Sequence, residues 1–119
     1  MKFKTREIED QLVHCVKKLA FLAFSIDGFM QDEFGIHLII TSIIRDNSPQ
    51  HANGFAFDMR NNMTDEQGDD LMKWVNTAFF YSDEKLTLVD EREKPEGETN
   101  WNHAHFHCQI NWRSGKSWK

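Results

Sequence analysis

Residues 103–112 read HAHFHCQINW, a stretch with a period of two. His103, His105 and His107 alternate with Ala104, Phe106 and Cys108. In an extended chain this puts three imidazoles on one face and the apolar side chains on the other. A strand with one wet face and one covered face belongs to an antiparallel sheet whose helices lie on one side. Working outward, GFAFDM at 54–59 repeats the pattern: Phe55, Phe57 and Met59 point one way, Gly54, Ala56 and Asp58 the other. IHLIITSII (36–44) is short and β-branched and reads as a strand, and KLTLVDE (85–91) as another. DNSPQHANG and EREKPEGETN are loops by composition.

Two helices complete the expectation. Thr5 can cap a first helix running to about Ser25, with Ile8, Leu12, Cys15, Val16, Leu19 and Ala23 at helical spacing. Gly28 and Gly35 then bracket a turn. Thr64 and Gln67 form a capping box for a helix over 65–80, with Leu71, Trp74, Val75 and Ala78 inward. The order helix, strand, strand, helix, strand, strand predicts a single α+β domain with a small antiparallel sheet.

Composition narrows the function classes. The 119 residues include ten Phe and four Trp, ample bulk for one core without disulfide staples. Cys15 and Cys108 both read as buried thiols. The formal net charge of −5 argues against a nucleic-acid partner. The acidic run from Asp83 to Glu98 reads as a solvated face and a loop. The N-terminus MKFKTREIED lacks a secretory apolar segment, and no run approaches a membrane span. The expectation is a monomeric chain made in the cytoplasm without an export signal of its own.

The chemistry gathers on the histidine face. Same-face neighbours on a strand stand roughly 6.6 Å apart at the backbone. Two imidazoles can tilt to meet one metal, or one can bind it while its neighbour contacts substrate. Three stacked histidines would repel if protonated, so a bare surface stripe has little structural logic. Asp58 leaves its strand beside Gly54 and Ala56, too small to block a site, and a carboxylate amid apolar sequence needs a partner. Capping a turn or pairing with Arg60 is the plainer alternative. His51, Asp58 and one histidine of the 103–107 cluster make a His₂Asp set for one zinc ion per chain. Such a set leaves a fourth position for water, the catalytic pattern, and zinc lowers that water's pKa to about 7.

His51-Ala-Asn-Gly54-Phe-Ala56-Phe-Asp58 resembles the H-x-x-G-x-A-x-D motif of zinc D-alanyl-D-alanine peptidases. His105-Phe106-His107 resembles the H-x-H strand shared by those enzymes, lysostaphin-type endopeptidases and the hedgehog signalling domain. The resemblance spans residues 36 to 111. It implies His51, Asp58 and His107 as zinc ligands, and His105 as the non-ligand histidine that stabilises the transition state or shuttles protons. It implies that Arg45, ending the strand before the first motif, holds a substrate carboxylate, with Ser48 and His103 beside the substrate.

The chain departs from the pattern twice. Pro49 stands where the family's serine usually lies, with Ser48 one residue further away, and Ala104 occupies the usual place of the acidic general base. The base is then expected from His105, His103 or Glu98. The activity implied is hydrolysis of a stem-peptide bond in bacterial peptidoglycan, endolysin-like or carboxypeptidase-like, by a small enzyme of bacteriophage type. A hedgehog-like domain that keeps zinc without catalysis is the alternative. Rolling-circle endonucleases also carry a His–hydrophobic–His strand, but they need a nucleophilic tyrosine. Tyr81, the one tyrosine, falls at a helix end, and the acidic balance disfavours DNA.

Overall fold

A computed structural model describes residues 1–15, 17–43, 54, 56–93 and 105–110. Among these, five strands form one sheet in the order β1-β2-β3-β5-β4. They are β1 (Lys2–Phe3), β2 (Ile39–Ser42), β3 (Ala56–Arg60), β4 (Leu88–Glu91) and β5 (His105–Gln109). Three helices accompany them: α1 (Arg6–Leu12), α2 (Lys17–Phe34) and α3 (Asp65–Ala78). The class is α+β as expected, but the sheet is mixed. Strand β1 pairs parallel with β2, and every other pairing is antiparallel. Two residues leave no alternation to read, so β1 has no signature in the sequence.

The core lies on one face of this sheet. Ile40, Phe57, Met59, Leu88, Phe106 and Cys108 join Leu19, Leu22, Ala23, Ile26 and Met30 of α2 and Leu71 and Val75 of α3 in a single cluster. Phe57 and Phe106 are fully buried. Rings also pin the helices together: Phe29 of α2 stacks on Trp74 of α3 with centroids 4.4 Å apart.

The first helical region corrects the single helix expected to end near Ser25. Thr5 does cap, accepting the Ile8 N–H at 3.2 Å, but α1 stops at Leu12 and α2 begins at Lys17. Cys15 is thus buried in the connection between two helices, not in a helical stripe. Gly28 sits inside α2, not at a turn. A Cβ there would meet nothing within 4 Å, so this glycine faces open space. Its cost of about 1 kcal/mol is outweighed by the apolar stripe from Leu19 to Met30. Gly35 is the real stop, with φ +69° and its N–H donating to the Gln31 carbonyl at 3.0 Å. Asp27, buried on the inner side of α2, accepts the Leu38 N–H at 3.0 Å and thereby ties the helix to the approach of β2.

Helix α3 has the expected capping box, the Thr64 and Gln67 side chains each accepting the other's backbone N–H at 3.1 Å. It ends at Ala78 rather than residue 80, and Ala78 is exposed while Phe79 turns inward. Asn76 treats the outer edge of β4 as a neighbouring strand would. Its Nδ2 donates to the Leu88 carbonyl at 3.0 Å and its Oδ1 accepts the Leu88 N–H at 2.8 Å. That clasp fixes β4 against the rest of the molecule. No described helix is long and apolar enough to cross a membrane.

Candidate metal centre

The face of the sheet turned away from the helices carries the chemistry, and the register states who meets whom. Asp58 lies opposite His107 across β3–β5, with Val89 on the far side. One step along, His105 lies between Arg60 and Glu91. Gln109 lies opposite Ala56. The alternation expected at 54–59 holds over 56–59, where Phe57 and Met59 enter the core cluster and Ala56 and Asp58 are buried on the other face, while Phe55 lies outside the described residues. Gly54, buried with φ +75°, leads the chain toward β3 in a conformation that a side chain would strain. The β2–β3 ladder shifts register between Ile40 and Ser42 beside Asp58, and Thr41 donates its hydroxyl to the Asp58 carbonyl at 3.3 Å. A bulge at this place bends β2 next to the site.

Asp58 Oδ1 is the centre of the group. It stands 3.1 Å from His107 Nδ1 and 3.9 Å from His105 Nε2, with the carboxylate 6% exposed. His105 Nε2 lies 2.7 Å from Glu91 Oε2. Cys108 faces the core, where burial and then the Asp58 charge push its thiol well above the ordinary range. It is a neutral packing group and offers no thiolate.

The orientation of His107 follows from its neighbour. Gln109 Nε2 donates to the Leu86 carbonyl at 2.9 Å, which turns Oε1 toward His107 Nε2 at 3.3 Å. A carbonyl accepts only, so the Gln109 amide has one sensible orientation and His107 Nε2 carries a proton. In the neutral ring Nδ1 is then a lone pair aimed at an anionic oxygen. Such a pairing is satisfied by a second proton on the ring or by a cation that accepts both lone pairs. Two donors held by one tetrahedral zinc stand roughly 3.3 Å apart, close to the 3.1 Å between His107 Nδ1 and Asp58 Oδ1. The two residues fit the metal as adjacent ligands.

The structure therefore brings Asp58, His105 and His107 together. His51, Arg45, Ser48, Glu98 and His103 lie outside the described residues. Among the described residues no three His, Cys, Asp or Glu side chains make up a metal-holding group by themselves. Two members of the site escape the sequence reading, Gln109 and Glu91. Both were within reach of the period-two pattern: Gln109 continues the row of His105 and His107, and Glu91 falls on the face opposite Leu88. No protein family, curated protein or solved structure matches the chain.

Proposed function

We propose that this chain is a zinc-dependent peptidase that hydrolyses a peptide bond in the stem peptide of bacterial peptidoglycan. The observation that carries the reading is the contact of His107 Nδ1 with Asp58 Oδ1, 3.1 Å apart on the sheet face turned away from the core. It joins the two motifs on which the family resemblance rests. His51, Asp58 and His107 would hold one zinc ion. Bound there, zinc supplies Lewis-acid activation of water.

The chain's own residues do the rest. Gln109 keeps the His107 proton on Nε2, so that Nδ1 stays available as a donor to the ion. His105, 3.9 Å from the Asp58 oxygen and 21% exposed, would move a proton between water and the leaving amine. Arg45 would hold a substrate carboxylate, with Ser48 and His103 along the same substrate. The enzyme would be monomeric and of the phage lytic type, acting on the cell wall.

Mass spectrometry of purified muropeptides after incubation with the zinc-loaded protein tests the reading. A shortened stem peptide is expected, and about one zinc per chain in the purified protein. Stem peptides left intact by a fully zinc-loaded chain would overturn it.

A further inference from the structure

We propose that Glu91 is the positioning residue of this site, the carboxylate that orients His105 and fixes its tautomer. The proposal rests on the peptidase reading, and it bears on a sequence that has Ala104 where the resembled family carries an acid.

The argument begins with placement. Glu91 and His105 are direct partners across β4–β5, and Val89 opposite His107 puts Glu91 on the same face as the metal ligands. Strand β4 is held on one edge by the β5 ladder and on the other by the Asn76 clasp, so the carboxylate projects from a fixed backbone. The separation of 2.7 Å between His105 Nε2 and Glu91 Oε2 is that of a charge-assisted hydrogen bond. An ionised carboxylate only accepts, so Nε2 donates. The other carboxylate in reach, Asp58, is 3.9 Å from the same nitrogen, too far to compete for its proton.

Consequences follow for the ring. Its Nε2 proton is committed to Glu91, which selects one tautomer and puts the lone pair on Nδ1. This division of roles is that of the aspartate behind a catalytic histidine in a hydrolase triad. The His105 side chain is 21% exposed, so its ring stays within reach of a bound substrate and water.

The test compares full-length, zinc-loaded wild type with Glu91→Ala, Glu91→Gln and Glu91→Asp. Zinc per chain is measured, then kcat and KM on a purified disaccharide-peptide, and the ring ¹⁵N signals of His105. Zinc content should be unchanged in all four proteins. Glu91→Ala should lower kcat roughly 10- to 100-fold with KM held, and Glu91→Asp should recover part of the loss. The His105 signals should pass from one tautomer, protonated on Nε2, to a mixture in Glu91→Ala. Glu91→Gln preserves shape and can still accept the Nε2 proton, so it should keep the tautomer while losing kcat. It also serves if the alanine variant folds poorly. Wild-type kcat in Glu91→Ala or Glu91→Gln, or an unmoved tautomer in Glu91→Ala, overturns the proposal. Wild type that leaves the disaccharide-peptide intact overturns the peptidase reading instead, and the ring signals then decide the Glu91–His105 coupling by themselves.

Discussion

Asp90 and Glu91 are neighbours on β4, yet their carboxylates serve opposite faces of the sheet. Asp90 meets Arg92, which donates Nε at 2.9 Å and Nη2 at 2.8 Å to its two oxygens, and also reaches Asp69 at 2.7 Å. The guanidinium lies 5.1 Å from the centroid of Phe106. Gly68 makes room for it: a Cβ there would fall 2.5 Å from Arg92 Nη1 and 3.1 Å from Phe106. On the other face Glu91 meets His105. The two clusters look alike in charge and differ in what their cations can do. Arg92, pushed higher still by the Asp90 and Asp69 carboxylates, never releases its proton, so that cluster is a clamp. An imidazole can donate a proton at one nitrogen and accept one at the other, so the cluster around His105 can do chemistry. A helix covers the first and none of the described helices covers the second.

The largest blow falls on what both faces share. Phe106 separates the two clusters within β5 and is fully buried. Phe106→Ala should cost about 3–5 kcal/mol, read from the urea midpoint at constant slope. The histidine face should lose zinc only as the protein unfolds. Zinc lost from a chain that stays folded would mean that the ring shapes the site directly.

Next come the histidines themselves, His107 proposed as ligand and His105 as catalyst. His107→Ala should lose tight zinc binding and some stability together, because metal binding is coupled to folding. His105→Ala should keep its zinc and lose roughly 100-fold or more in rate. Zinc content and muropeptide turnover, measured on the same preparations, check both. Zinc retained by His107→Ala and lost from His105→Ala would reverse the two roles.

A third substitution sharpens the account of His107. Gln109→Leu keeps the side-chain volume and removes the acceptor for Nε2. Zinc affinity should fall roughly 10- to 100-fold, as measured by competition with a chelating dye. Unchanged affinity would mean that the ring is oriented by something other than the Gln109 amide.

The period-two stretches were legible because half-burial imposes alternation on any strand with one covered face. That is why Phe57, Met59, Phe106 and Cys108 are in the core and Asp58, His105 and His107 are not. The Thr64–Gln67 capping box was legible because its partners lie three residues apart and need no tertiary help. What stayed hidden depends on tertiary structure. The break between α1 and α2 carries no proline or glycine, and α2 runs through Gly28 because its buried face outweighs that residue's preference. Asp27 gave no sign of being buried, since its partner Leu38 is 11 residues away. Glu91 was masked by its surroundings: in an acidic run read as a solvated face, one carboxylate turned toward a histidine looks like all the others. The same blindness covered Arg92, whose clamp joins residues from α3 and β4.

The smallest effect should come from loosening that clamp at its outer edge. Asp69 is 70% exposed on its side chain, although its oxygen stands 2.7 Å from Arg92 Nη2. An exposed pair of this kind contributes roughly 0.2–1 kcal/mol. In Asp69→Ala the guanidinium keeps both Asp90 oxygens and the Asp65 carbonyl at 3.2 Å, so the ring of Phe106 remains covered. The melting temperature should drop by about 1–8 °C, less at high salt. Acidification should dismantle the rest of the clamp. Asp90 is held below the usual carboxylate range chiefly by the hydrogen bond from Arg92. Its contribution is therefore complete above the unfolded value of about 4 and lost as pH falls through the lower folded value. At neutral pH, zinc content and turnover should match wild type, because β4 separates Asp90 from Glu91 by its pleat. A change in either would show that the two faces communicate through that strand, and the separation of clamp from chemistry would have to be abandoned.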